Sequence, residues 1–268
     1  MTRVTILGSG TLVPDHLRHG AAHVVESDGL RLLMDCGSGT LHGLARGSID
    51  WTALTHVAIS HYHSDHIADL SSLILAFRYG LETERAEPLT LLGPPGFGLF
   101  LDGLAAVLGA HVLEPGFPVD VVELGPGDEY RHAGSGATIH AQSTPHTDES
   151  VAYRVTGAAG RIGYTGDTGP SDEVAHFLTG CRVLIAECAL TDPPEMDLHL
   201  APSTLARMAN IAGPELLVIT HVYPPAEPSL VAEQLAVCGY TGRVVEGVDG
   251  LQIGLGDDLT VASLGTPV

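Results

Sequence analysis

Short β-branched, apolar runs alternate along this chain with stretches whose apolar residues recur every three or four positions. The first pattern predicts strands and the second helices packed by one face. Strands are predicted at Arg3–Leu7, Ala22–Glu26, Leu30–Asp35, His56–Ser60, Leu89–Leu92, Val119–Glu123, Thr138–Gln142, Val151–Val155, Arg161–Thr165, Arg182–Glu187, Glu215–Thr220, Arg243–Glu246 and Gly250–Gly254. Helices are predicted at Gly39–Ala45, Ile67–Tyr79, Gly96–Leu108, Asp172–Leu178, Pro202–Ala212 and Pro228–Val237, the last two opened by Pro-Ser pairs. Two blocks of strands, each followed by strand–helix units, predict an α/β protein with two packed sheets and helices outside. No long linker, charge block or repeat divides residues 1–268, so one domain is expected.

Composition narrows the partners. Hydrophobic residues make up 44% of the chain and charged ones 16%, which excludes a disordered chain. Net charge is −20, and all 12 basic residues are Arg. Such a chain repels nucleic acid and anionic membranes at long range, so nucleic acid and membrane are not expected partners. A small substrate is acceptable, because a bound cation dominates its own surroundings. The opening Met-Thr-Arg-Val-Thr-Ile-Leu-Gly reads as a strand, not as a signal peptide, and no apolar run is long enough to span a bilayer. Cys36, Cys181, Cys188 and Cys238 form no C-x-x-C pair. Reduced thiols and a cytoplasmic location are therefore expected. Gly8–Gly10 is not followed by a G-x-G-x-x-G pattern, so no nucleotide cofactor is implied.

The strongest chemistry lies in Ser60-His61-Tyr62-His63-Ser64-Asp65-His66, which follows the apolar strand residues Val57–Ile59 and precedes a helix. Alternate residues of a strand end point the same way, so His61 and His63 can converge on one ion. After the turn, Asp65 and His66 can reach a neighbouring ion. Imidazoles with a carboxylate suit zinc, and also iron or manganese. Further ligands must come from elsewhere. His146, Asp167 and His221 each stand after a predicted strand. Alone, a His at a strand end is more often a hydrogen-bonded surface residue, and an Asp after Gly is usually turn chemistry. In order behind the first motif, they form a set.

That set resembles the metallo-β-lactamase superfamily, through its H-x-H-x-D-H signature. Within it the chain looks like the ribonuclease Z and small phosphodiesterase branch. Supporting segments are Leu7–Thr11, Met34–Thr40, Leu92–Gly96, Tyr164–Thr168 and the region between His199 and His221. The resemblance implies a four-layer αββα sandwich with two divalent metal ions, zinc or else manganese or iron, at one edge of the sheets. Carried over, His61, His63 and His146 would hold one ion, and Asp65, His66 and His221 the other. Asp167 would bridge them, and Asp35 would brace the first loop from behind. His199 resembles a general acid for the leaving oxygen, and Glu187 could orient it. Asp65, His199 and Glu187 are thus the expected catalytic group. The family commonly has a His-Glu pair at this point, where this chain has Ala186 before Glu187.

The implied activity is metal-dependent hydrolysis, by a hydroxide bridging the two ions, of a small or cyclic phosphodiester. Transfer-RNA-processing members project an RNA-gripping arm between the motifs carrying His146 and Asp167. Here those residues are only 21 positions apart, too few for such an arm. An RNA 3′-end endonuclease, a hydrolase of a lactone, thioester or amide, and a non-catalytic metal-bound module are the alternatives. Seven ligands for two ions argue against the last, since a purely structural site needs only four. The family weakly suggests a homodimer. Of the other histidines only His16 and His19, in the loop after Gly8–Thr11, are placed to approach substrate, and a nucleophilic cysteine is not expected.

Overall fold

The structure is a computed structural model that describes residues 2–263. Two mixed sheets pack face to face. The first has eight strands in the order β15-β14-β1-β2-β3-β4-β5-β6. These are β1 (Thr2–Gly8), β2 (Ala22–Ser27), β3 (Leu30–Met34), β4 (His56–Ala58), β5 (Leu89–Gly93), β6 (Val119–Glu123), β14 (Leu251–Leu255) and β15 (Leu259–Ser263). The second has seven, in the order β13-β12-β11-β10-β9-β8-β7. These are β7 (Glu129–Arg131), β8 (Thr138–Ser143), β9 (Val151–Gly157), β10 (Gly160–Tyr164), β11 (Val183–Glu187), β12 (Leu216–Thr220) and β13 (Val244–Glu246). In each sheet the strands nearest one edge are parallel (β3 to β6, and β10 to β13), and the rest are antiparallel.

Period-two alternation assigns each strand residue to a layer. Leu32 and Met34 of β3, Ile185 of β11 and Val218 of β12 meet in the core between the sheets. Their neighbours turn outward. Leu33 and Val57 pack beneath α1 (Thr40–Arg46), α3 (Leu70–Tyr79) and α4 (Phe97–Leu108). Leu184, Leu217 and Ile219 pack beneath α5 (Asp172–Phe177), α6 (Pro202–Ala212) and α7 (Pro228–Val237). The layers therefore run helix, sheet, sheet, helix, as expected. Strands buried on both faces read as continuous apolar runs, such as Leu216–Ile219, and each fully buried aliphatic contributes roughly 1.5–3 kcal/mol.

The helix predicted over Ile67–Tyr79 is interrupted. A short α2 (Ser64–Ile67) precedes α3, with Asp69 between them. The Asp69 N–H donates to the Cys36 carbonyl at 2.9 Å, and the Cys36 N–H donates to the His66 carbonyl at 2.7 Å. These bonds knit the metal-motif loop to the end of β3 at the expense of helix continuity. Strands β7 and β15 were not predicted. The first has one apolar residue between two charged ones, and the second pairs only along the outer edge of β14. Among the described residues no helix is long and apolar enough to cross a membrane.

Candidate metal centre

Every predicted ligand lies at the carboxyl end of a strand, and all converge on one edge of the sandwich. In open α/β sheets this is where ligands bind. The loop after β4 carries His61, His63, Asp65 and His66. His146 follows β8, Asp167 follows β10, His199 precedes α6, and His221 follows β12.

Local geometry explains how the loops reach this edge. Strand β3 ends at Asp35, whose φ of 57° lies in the left-handed region, and β12 ends likewise at His221 with φ 54°. Each turn swings its side chain from the strand line into the edge. Gly37 packs so tightly on the loop that a Cβ there would sit 1.9 Å from the Asp65 carbonyl oxygen. From the other sheet, the Tyr153 hydroxyl donates to the Ile59 carbonyl at 2.7 Å, and the Val151 N–H to the Ser60 carbonyl at 3.0 Å.

Asp35 is fully buried and braces the centre, as expected. Its Oδ1 accepts from the Ser60 N–H at 2.7 Å. Its Oδ2 accepts from the Ser60 hydroxyl at 2.8 Å, from His66 Nδ1 at 2.6 Å and from the Tyr164 hydroxyl at 2.6 Å. Because Ser60 Oγ donates to Asp35, it accepts from His61 Nδ1 at 3.0 Å. His146 Nδ1 donates to the Leu198 carbonyl at 3.0 Å. Three imidazoles are thus fixed as Nδ1–H tautomers, which leaves the Nε2 lone pair of each free for a cation.

Those lone pairs face one another. His61 Nε2 lies 3.0 Å from His63 Nδ1, which lies 3.1 Å from His146 Nε2. His66 Nε2 lies 3.4 Å from His221 Nε2, which lies 3.1 Å from Asp65 Oδ2. Asp167 stands between the groups, with Oδ1 3.3 Å from His66 Nε2 and Oδ2 3.7 Å from His146 Nε2. His61, His63, His146 and Asp167 form one set whose ligand atoms all lie within 4.8 Å, and Asp65, His66 and His221 form a second. Nitrogens aimed at each other repel unless a proton or cation lies between them. Asp65 Oδ1 and Asp167 Oδ1 are buried without a hydrogen-bond partner, which is costly unless a cation satisfies them. The donor set therefore fits divalent cations.

The electrostatics reflect how closely these charges are crowded. Burial raises the Asp167 carboxyl, but His221 and His66 outweigh it and hold the group well below the usual range. Burial pulls His66 down, yet the carboxylates of Asp167 and Asp35 lift it well above its ordinary value. His61, wrapped by burial and by the other imidazoles, is strongly lowered.

Glu187, buried on the last position of β11, accepts from the Thr168 N–H at 2.7 Å and from His199 Nδ1 at 2.9 Å. Its second oxygen accepts from the Ala189 and Leu200 N–H groups, each at 3.2 Å. Burial lowers His199, but the hydrogen bond and charge of Glu187 prevail and hold it above its ordinary value. His199 lies within reach of Asp167 and His221, the three ligand atoms being within 4.8 Å of one another. Ala186 is buried under the outer helices, facing away from this edge, so the His-to-Ala departure leaves the Glu187–His199 pair intact.

Sequence reasoning did not single out Tyr223, Ser9 or Asp249. The Tyr223 ring lies 5.3 Å from that of His221 and 6.3 Å from that of His199. The His221 N–H donates to the Ser9 carbonyl at 2.9 Å. Asp249 accepts from the Ser9 N–H at 2.9 Å and the His19 N–H at 2.8 Å, pinning the loop that starts beside His221. The only signal for Tyr223 was its place two residues after His221. His19 meets Asp249 through Nδ1 at 2.9 Å, while His16 is exposed on that loop, so neither joins the cluster.

Comparison with known proteins gives a consistent result. Residues 30–222 match the family model described as a beta-lactamase superfamily domain. A protein named Ribonuclease Z from Mycobacterium sp. (strain KMS) is 30% identical over 280 aligned positions, covering 97% of this chain and 95% of that one. The metallo-beta-lactamase fold protein YhfI from Bacillus subtilis superposes with a TM-score of 0.80 at 24% identity, covering 94% of this chain and 98% of that one. Human tRNase Z, short form, superposes with a TM-score of 0.75 at 22% identity, covering 95% and 99% respectively. With this fold and this edge of converging imidazoles and carboxylates, the chain belongs to the metallo-β-lactamase superfamily of metal-dependent hydrolases, on its ribonuclease Z-like branch.

Proposed function

We propose that the chain hydrolyses a small or cyclic phosphodiester with the help of two divalent cations. His61, His63 and His146 would hold one, Asp65, His66 and His221 the other, with Asp167 shared. Such cations, when bound, supply Lewis acidity and an activated water. Imidazole-rich donors suit zinc, with manganese or iron compatible. The chain's own residues do the rest. Asp35 fixes the tautomer of His66, and Ser60 that of His61. His199 gives a proton to the leaving oxygen, and Glu187 fixes its ring and raises its affinity for that proton.

The observation that carries this reading is the Glu187–His199 pair standing directly against the two ligand sets. When water oxygen bonds to the phosphorus of a phosphodiester and the P–O bond to the alcohol breaks, the departing alkoxide needs a proton, so an acid beside the cations has a clear task. The ribonuclease Z name of the relatives favours an RNA substrate as a second reading. Against it stand the net charge of −20 and the segment between His146 and Asp167, which is occupied by the β9–β10 hairpin.

The test is a panel of bis(p-nitrophenyl) phosphate, alkyl phosphodiesters, cyclic nucleotides and precursor transfer RNA, with metal-loaded protein. His199→Ala should keep its metal and slow alkyl esters about 10²–10⁴-fold, but activated aryl esters far less. Equal slowing of both would remove the acid role. Preference for precursor transfer RNA over every small ester would overturn the small-substrate reading.

A further inference from the structure

Two loops that contact different candidate ligands carry a large share of the exposed apolar residues. Of the twelve exposed large hydrophobic residues among those described, five lie here: Leu12, Val13 and Leu17 on one loop, Met196 and Leu198 on the other. Each is 42–59% exposed.

Both loops are anchored on the ligands. The first leaves β1 at Ser9, whose carbonyl accepts from the His221 N–H at 2.9 Å. It is closed by the Gly10 N–H donating to the His19 carbonyl at 2.7 Å, and it returns at Gly20, where a Cβ would meet the Asp65 carbonyl at 2.7 Å. The Leu12 N–H reaches the Tyr223 hydroxyl at 3.4 Å. The second loop touches the other ligand set, since the Leu198 carbonyl accepts from His146. One lip thus stands over Asp65 and His221, and the other over His146.

These lips offer no free arginine or lysine among the described residues. Arg18 is bonded to Glu246, to the Gly247 carbonyl at 2.9 Å and to Ser9 Oγ at 2.9 Å. His19 is bound to Asp249, and His16 lies 3.8 Å from Asp15. The remaining charges are acidic: Asp15, Asp192, Glu195 and Asp197. A polynucleotide needs several cations along its backbone. A recess of about 210 Å³ opens between the first loop and the turn after His221, lined by Val13, Val222 and several prolines together with Asp15, Arg18 and Glu227.

Resting on the phosphodiesterase reading, we infer that the substrate is a singly charged phosphodiester bearing a bulky apolar group, which the Leu12–Leu17 and Met196–Leu198 lips cover. The cations and His199 would meet the phosphoryl oxygens, and the apolar group would take the exposed leucines out of water.

A series of alkyl p-nitrophenyl phosphates, from methyl to octyl, keeps one leaving group. In every member water oxygen bonds to phosphorus, the aryl P–O bond breaks and p-nitrophenolate departs. Wild-type kcat/KM should rise about twofold per methylene, half the roughly fourfold that complete burial supplies. The double variants Leu12→Ser/Leu17→Ser and Met196→Ser/Leu198→Ser should flatten that rise, whereas Val107→Ser, on the far surface of α4, should keep it. Melting temperature and metal content report whether each variant is folded. A flat wild-type series with measurable turnover would overturn the inference alone, whereas faster cleavage of an oligoribonucleotide than of every ester would overturn the small-substrate reading with it. Turnover of no phosphodiester at all would remove the phosphodiesterase reading and this inference with it.

Discussion

Replacing Asp35 with Asn tests how the centre is held. Asn tolerates the left-handed backbone at this position, where φ is 57°, so the turn survives. The change falls on Oδ2, which accepts from Ser60 Oγ, His66 Nδ1 and Tyr164 Oη. An amide nitrogen placed there meets three donors with a donor of its own. The hydroxyls can rotate. His66 can adapt only by moving its proton to Nε2, which removes the lone pair aimed at Asp65 and His221. If the amide flips instead, the Ser60 N–H loses its acceptor, at about 1–3 kcal/mol. Loss of such a supporting carboxylate costs about 10–100-fold in metal affinity, or about 1.4–2.7 kcal/mol. The loss should fall chiefly on the Asp65–His66–His221 set, whose His66 bonds Asp35 directly, and less on the set containing His61, which Asp35 reaches only through Ser60 Oγ. Metal analysis during titration with a competing chelator would show one ion weakened more than the other, with activity following the weaker. Two ions bound to the variant with wild-type affinity would refute the argument that Asp35 sets the His66 tautomer.

Three further outcomes are expected. Gly37→Ala drives a methyl group into the Asp65 carbonyl, 1.9 Å away, so it should lower melting stability by about 1–3 kcal/mol or more and weaken metal binding together, which calorimetry and metal analysis would show. Glu187→Gln should slow poorly activated esters as His199→Ala does, and the double variant should be no slower than His199→Ala alone; fully additive losses would separate the two residues. Burial, with the charge of His132, pushes His56 down to about 4. The unfolded chain therefore binds the extra proton between about pH 6.5 and 4, and His56 removes about 3 kcal/mol of stability as pH falls through that window. His56→Gln should flatten that part of the metal-free stability profile, and an unchanged slope would contradict the assignment.

The metal motif was legible because it is contiguous and follows a buried strand; His146, Asp167 and His221 were legible because each follows an apolar run. Their convergence was not contained in the spacing and came from the resemblance. What stayed hidden depends on contacts between distant segments. The break at Asp69 exists because Cys36 takes its N–H, and the Asp249 clamp joins positions that are 240 residues apart on Ser9. Strand β7, with Tyr130 between Glu129 and Arg131, carries too little apolar signal to be read locally. Tyr130 is held instead by a 2.9 Å contact between its hydroxyl and His56 Nε2.

Neither ligand set belongs to one sheet. His61, His63, Asp65 and His66 ride on the eight-stranded sheet, while His146, Asp167 and His221 ride on the seven-stranded one. Any ion held by either set is therefore a rivet through both halves of the sandwich. Sliding the halves past each other by an ångström would open both sets at once. An ion bound there would add a second tie between the halves to the one their apolar core already provides.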